Sequence, residues 1–246
     1  NDKEPWAMSL EAEDFLELLV ATYNVHGCVG SDGVRDAGRV ARVLQSLGAG
    51  IVGLQEVDSR PGPGTESAQM EFLASTTGYR AVPGHTIECS DRLYGNVLLT
   101  RWPVRSVRQI DLSQRGREPR GAIDATLDLC GQDLRVLVTH FGLRATERRR
   151  QVRKLLTAVA AGPDGPTLIL GDLNEWWPFG VVRRSLHRHF ERSRVLRSFP
   201  ASRPVLALDR IYARSPALLA GSWTVRTHQT RHASDHLPVV GRLLLR

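Results

Sequence analysis

The stretch Leu168-Ile169-Leu170-Gly171-Asp172-Leu173-Asn174 decides how the chain is read: an apolar run stops on two polar residues set two positions apart. A short apolar run bounded by a turn signal reads as a buried strand. Residues two apart in extended backbone share a face, so Asp172 and Asn174 would project together if that geometry continues. One can then accept a proton or orient water while the other donates to a phosphate oxygen. An Asx-type turn closing the strand is the competing reading of the same residues.

Working outward, the pattern of an apolar strand ending in polar groups recurs. Thr22-Tyr23-Asn24-Val25-His26-Gly27 delivers an amide, and Leu54-Gln55-Glu56-Val57 delivers a carboxylate. Side chains at neighbouring strand ends converge on one rim, where sites often form. A carboxylate there suits a hard cation such as Mg²⁺, which takes few protein carboxylates and keeps other positions for exchange with phosphate. Asp209 lies inside the apolar run Val205 to Tyr212, and a charge there is destabilising unless paired. Its natural partner is His236 of Ser234-Asp235-His236, whose tautomer and basicity it would fix. Pairing with Arg210 competes, but adjacent strand residues face opposite ways. Asp235 would then be free to serve the metal. Leu134 to Phe141 adds a further strand-end histidine, His140.

Strands are expected near residues 16 to 25, 51 to 57, 95 to 100, 121 to 129, 134 to 141, 166 to 171, 207 to 213 and 236 to 245. Between them, Val40, Val43, Leu44 and Leu47 follow helical spacing, as do Val152, Leu155, Leu156 and Val159, with Thr146 as the expected N-cap of the second helix. This mixed order predicts an α/β protein with large, mainly antiparallel sheets covered by helices; two sheets packed face to face with helices outside would fit. No linker, repeat or low-complexity tract divides the 246 residues, so one domain over 1–246 is expected, with 1–14 read as a tag or flexible extension.

Composition narrows the class. Three cysteines without CxxC or Cys/His spacing argue against a zinc site or a disulfide framework. No apolar run approaches a membrane span, and the first residues lack a signal-peptide core, so a cytoplasmic location is the default and export stays open. The formal charge is +7, almost all of it arginine because only Lys3 and Lys154 are lysine, which favours an anionic partner.

Taken in order, Tyr23 to Gly27, Leu54 to Val57, Gly95 to Arg101 (Gly-Asn-Val-Leu-Leu-Thr-Arg), Thr139 to Phe141, Gly171 to Asn174, Leu208 to Ile211 and Ser234 to His236 resemble the full motif series of the endonuclease/exonuclease/phosphatase superfamily. The resemblance spans nearly the whole chain and implies a four-layer αββα sandwich with the site at one rim. It implies that Glu56 is the principal Mg²⁺ ligand, with Mn²⁺ as a substitute, and that Asn24 and Asp235 lie close to the metal or its water. Asp172 and Asn174 would position nucleophile and phosphate, the Asp209 and His236 pair would act on water or leaving group, and His140 would contact phosphate. Asn96 and Arg120 are expected to touch substrate. One departure stands out. In deoxyribonuclease I a glutamate on an earlier strand supports the histidine matching His140, whereas Tyr94-Gly95-Asn96-Val97 holds no carboxylate. The chain is most similar to the small bacterial members described as metal-dependent hydrolases.

The expected activity is Mg²⁺-dependent hydrolysis of a phosphoester by a monomer, with a small or lipid-head-group ester as the first substrate class and nucleic acid as the second. For nucleic acid, Arg120, Arg148, Arg149 and Arg150 would track a backbone; a solvated helix face is the competing reading of the helical arginines. Trp176 and Trp177 would stack a base, meet a lipid surface or pack in a loop. An inactive binding module is disfavoured, since every expected polar position is filled.

Overall fold

In the computed structural model, which describes residues 16–60, 68–215 and 217–245, eleven strands divide between two sheets; the predicted extension at 1–14 lies outside the described residues. The first sheet runs in the order β10 (Leu218–Thr224), β11 (Val239–Leu245), β1 (Leu16–Asn24), β2 (Ile51–Ser59), β4 (Arg92–Thr100) and β3 (Arg80–Cys89). The second runs β5 (Val104–Asp111), β6 (Gly121–Leu129), β7 (Gln132–His140), β8 (Thr167–Asp172) and β9 (Asp209–Arg214). Only β1 with β2 and β7 with β8 pair in parallel; the other ladders are antiparallel.

The central strands lack clean polar alternation because both of their faces are buried. Leu168 and Leu170 of β8 enter the core between the sheets beside Val20, Ile51, Leu98, Val136 and Val138. Ile169, facing the other way, packs under α3 (Ala145–Ala160) and α4 (Val181–Leu186) with Val152, Leu155 and Val182. On the opposite side, Tyr23, Val52 and Leu54 lie beneath α1 (Ala37–Leu47), α2 (Gln69–Thr77) and α5 (His228–Ala233). These three apolar layers build the four-layer α/β sandwich that the motif order implied. Gly53 sets how closely the sheets approach, since a Cβ there would lie 2.9 Å from Leu170 Cβ.

Two local expectations are corrected. Strands β3, β5 and β10 were not predicted, and each lies at a sheet edge, where solvent covers one side and the apolar signal fades; β5 is mostly exposed. Helix α3 begins at Ala145 with Arg144 as its N-cap, placing Thr146 inside the first turn. No side chain caps this end; Gln151 Oε1, from within the helix, accepts the Gly142 amide at 2.8 Å where the chain leaves β7.

One buried charge cluster ties the second sheet to α3. Asp124 accepts from Arg135 Nε and Nη2, each at 2.8 Å, and from Arg108 Nε at 2.6 Å, while Arg135 Nη1 also reaches the Val159 carbonyl. Burial works to raise the Asp124 pKa, but the two guanidiniums outweigh it and hold the carboxyl below the usual aspartate range. Asp124→Ala is expected to destabilise the fold by about 3–5 kcal/mol, because it strands a buried cation. A depressed folded pKa gives stability that is present above the ordinary aspartate pKa and lost as pH falls through the folded value. Urea melts of wild type and Asp124→Asn at pH 7 and near pH 3 test this: the gap between them should narrow in acid.

Candidate active site

The two parallel pairs bring strand ends to one rim. Asn24 at the end of β1 is in register with Gln55 of β2, and across the second sheet His140, Asp172 and Asp209 are direct cross-strand neighbours on β7, β8 and β9. The Asn24 amide joins the two sheets, its Nδ2 donating to Glu56 Oε1 at 2.9 Å and to Asp172 Oδ2 at 3.1 Å. Two imidazoles face the same oxygens: His140 Nε2 lies 3.9 Å from Glu56 Oε1 and 3.7 Å from Asp172 Oδ2, and His236 Nε2 lies 3.7 Å from Asp172 Oδ2.

Glu56 reaches this position through a bulge and not at a strand end. The β2–β4 register slips between Leu54 and Val57, and Glu56 takes φ 59°, the left-handed region. An extra residue re-aims the side chain out of the normal alternation, at a cost of about 1–3 kcal/mol for a non-glycine residue. Asn174 is also left-handed, at φ 50°. Its amide N–H donates to Asp172 Oδ1 at 2.9 Å, so the Asx turn forms, and it is this turn that carries Asn174 Nδ2 to within 3.1 Å of His140 Nε2. Asn174 Nδ2 also donates to the Phe141 carbonyl at 2.8 Å. That bond orients the amide so that His140 Nε2 accepts and the ring is neutral. Burial, opposed by Asp172 and reinforced by Arg120 and His236, pushes the His140 pKa down to about 4.

Asp209 does pair with His236, Oδ2 to Nδ1 at 2.8 Å, whereas Arg210 turns away to the Arg194 and Ala207 carbonyls. A residue the sequence did not reveal completes the pair: Ser198 Oγ donates to the same Asp209 oxygen at 2.5 Å. Nothing in Ser198-Phe199-Pro200 signals this, since it depends on a loop folding back over β9. Phe199 covers the His236 ring with centroids 4.8 Å apart. Burial would lower the His236 pKa, but the Asp209 charge and hydrogen bond outweigh it and raise it to about 10. Asp172 is shifted upward, by burial first and by the Asp209 charge second.

A cleft of about 410 Å³ opens over these groups, walled by Tyr94, Glu118, Arg120, Leu143, Trp176 and Phe199. Arg120 therefore reaches the site; it is buried, its Nη1 donates to Glu118, and its Nε has no partner. Asn96 is not among the cleft-lining residues: its Nδ2 is committed to the Gly121 carbonyl at 3.0 Å, joining β4 to β6. Asp235 also stands aside from the wall, 3.7 Å from His26 Nδ1 and 3.4 Å from Ser234 Oγ.

The expectation that Arg148 tracks a nucleic-acid backbone is corrected. It is buried, donates to the Leu143 carbonyl at 2.5 Å and pairs with buried Glu175 at 3.3 Å, because it stands four and seven residues before Val152 and Leu155 and so shares their buried face of α3. Arg148 thus holds together the two loops that carry Leu143 and Trp176. Arg148→Ala is expected to cost about 3–5 kcal/mol by stranding Glu175, read as a lowered denaturation midpoint.

The donor set fits a hard divalent cation. Two carboxylates that share one amide donor, with imidazole nitrogens beyond them, supply oxygen-rich ligation and a need for positive charge. Asp172, Asp209 and His236 also have ligand atoms within 4.8 Å of one another. In that trio, however, Asp209 is fully buried and its Oδ2 already accepts from both His236 and Ser198, so the better-placed oxygens are those of Glu56 and Asp172. Among the described residues no helix is long and apolar enough to cross a membrane.

Comparison with known proteins bears on the family and the fold. The uncharacterized protein YbhP of Escherichia coli K12 is 31% identical over 189 residues, 73% of this chain and 74% of that protein. Among solved structures, the Bacteroides thetaiotaomicron mannosyl-6-phosphatase superposes with a TM-score of 0.73 at 16% identity, over 92% of this chain and 99% of its own. D. rerio TDP2, complexed with single-strand DNA product, superposes at 0.66 with 22% identity, over 92% and 98%; at these identities both likenesses speak for the fold. A family model covers residues 21–236, from the strand that carries Asn24 to His236 itself, and with that span the chain belongs to the Endonuclease/Exonuclease/phosphatase family.

Proposed function

We propose that the protein is a Mg²⁺-dependent phosphoesterase whose primary substrates are small phosphoesters. The observation that carries the reading is the convergence of Glu56 and Asp172 on one Asn24 amide, opposite the outward nitrogens of His140 and His236. Glu56, with Asp172 beside it, would hold the cation, and Asn24 Nδ2 orients both carboxylates; when bound, the cation would supply Lewis-acid neutralisation of phosphate charge. Asp235, set aside by His26, serves the metal less directly, through the Ser234 turn that anchors to the Asn24 carbonyl at 2.8 Å.

The chain's own groups do the remainder. Arg120 binds phosphate oxygens; once the phosphate anion supplies the counter-charge that burial otherwise denies a protonated ring, His140 Nε2 changes from accepting the Asn174 amide to donating to phosphate, which frees one Asn174 N–H to join it. Asp209 fixes the His236 tautomer and directs Nε2 at the cleft. Asp172 and His236 share the proton transfers to and from the attacking water and the leaving oxygen, and as coupled groups they act as a unit. Leu143, Trp176 and Phe199 limit water at the mouth.

The small-substrate reading is supported by the burial of Arg148 and by the position of Arg150, Arg153 and Lys154, which line a separate groove beside Asp111. The nuclease reading keeps one observation, the half-exposed Trp176 on the cleft rim. A panel with and without Mg²⁺ separates them: a sugar phosphate, an inositol phosphate, sphingomyelin, an aryl phosphodiester and plasmid DNA. Metal-dependent turnover of the small esters above plasmid nicking is expected; rapid nicking with inert small esters would promote the nuclease, and no metal-dependent hydrolysis of any would defeat both.

A further inference from the structure

Beside the cleft lies a second cavity of about 480 Å³ that shares the Glu56, Tyr94 and Glu118 wall with it. Three arginines of this cavity converge on one buried carboxylate. Asp58 accepts from Arg92 Nε at 2.7 Å and Arg60 Nη2 at 2.7 Å, and Arg35 Nη2 stands 3.7 Å away. The Asp58 side chain is 4% exposed, whereas Arg35, Arg60 and Arg92 keep 23%, 52% and 33% of theirs open. All three guanidiniums lean on this one carboxylate, which leaves part of each fork open to a cavity whose described lining also holds Glu56 and Glu118. Asp58 acts as a hub that orients the forks: burial works to raise its pKa, and the Arg92 and Arg60 hydrogen bonds lower it on balance.

The frame is fixed from behind. Gln69 Oε1 accepts the Asp58 amide at 3.0 Å and Gln69 Nε2 donates to the Gly27 carbonyl at 2.7 Å, while the Arg92 guanidinium lies 4.5 Å over the Tyr94 ring. Of the other charged groups on this wall among the described residues, Glu118 pairs with Arg120, Glu56 belongs to the carboxylate cluster and His26 faces Asp235.

We propose that Arg35, Arg60 and Arg92 form a second anion subsite that binds a phosphate of the substrate other than the one cleaved. It rests on the phosphoesterase reading of the adjoining cleft and narrows the substrate class to esters bearing two phosphates. Arginine forks match phosphate oxygens bidentately, and preorganisation on Asp58 reduces the ordering entropy lost on binding.

The test compares kcat/KM for inositol 1,4-bisphosphate against inositol 1-phosphate, and for dTpdT with and without a 5′-phosphate, in wild type, Arg60→Ala and Arg35→Ala. The preference for the doubly phosphorylated partner should fall by about 10-fold in the variants, and the pair that shows the fall identifies a sugar or a nucleotide source. Calorimetric binding of inositol 1,4-bisphosphate in EDTA gives a readout independent of turnover, with Kd expected to rise by about 10-fold in Arg60→Ala. Unchanged preference and unchanged Kd, in variants that melt like wild type, overturn the subsite. Arginine-dependent binding without hydrolysis of any ester overturns the phosphoesterase reading and upholds the subsite.

Discussion

Glu56→Gln is expected to lower Mg²⁺-dependent hydrolysis by at least about 10³-fold, or about 4 kcal/mol of barrier at 1.36 kcal/mol per decade. The amide retains the shape and the oxygen that accepts from Asn24, so a loss reports the missing charge and not a collapsed site. The backbone gives a second, opposite readout. Glu56 holds φ 59° within a strand, and the left-handed region costs an L-residue about 1–2 kcal/mol that glycine does not incur. Glu56→Gly should therefore be inactive yet unfold at an equal or higher denaturant midpoint, the mark of strain retained for function. Calorimetry with Mg²⁺ should show weakened binding in both variants. Retention of more than about a tenth of wild-type turnover by Glu56→Gln would remove Glu56 from the metal site.

Asp209→Asn should reduce kcat by roughly 10³–10⁴-fold with a small change in KM, the size of effect seen when a buried carboxylate that orients a catalytic imidazole becomes an amide. Asp209 Oδ2 accepts from His236 and Ser198 together. An asparagine amide group turned toward His236 would force Nδ1 to accept, giving the wrong tautomer at Nε2, and would remove the charge that raises the imidazole pKa to about 10. Ser198→Ala leaves charge and tautomer intact and should cost only about 10–100-fold, as expected for a group supporting a site residue. Equal losses in the two variants would mean that the loop over β9, and not the Asp209 charge, governs the reaction.

Several features were legible because they are local. The apolar runs at 16 to 25, 51 to 57, 134 to 141 and 166 to 171 mark strands buried on both faces, and burial on both faces is written directly into composition. Their polar last residues, Asn24, His140 and Asp172, could be named for the same reason: a polar group where an apolar run stops is visible without knowing its neighbours. Pairing of Asp209 with His236 followed from one rule, that a charge inside an apolar strand needs a partner, and from the opposite facing of Arg210.

Other features exist only through contacts distant in sequence. Asn174 was expected on the Asp172 face by strand alternation, yet it arrives there through an Asx turn and a left-handed backbone, so the placement agrees while the mechanism differs. The bulge at Glu56 is defined by its partner strand β4 and has no signature within Leu54-Gln55-Glu56-Val57. Edge strands β3, β5 and β10 depend on pairing with one neighbour, which their polar composition does not announce. Asn96 reads as a site residue by its motif, but the approach of β6 turns its amide to Gly121. The sequence alone thus determined the layered α/β architecture and the polar residues bordering the site, since hydrophobic periodicity and the destabilisation of buried charge act residue by residue. Tertiary structure decided the aim of those side chains, the Ser198 support, the pairing of Arg148 with Glu175 and the arginine trio on Asp58, because each is set by the meeting of segments that no local pattern brings together.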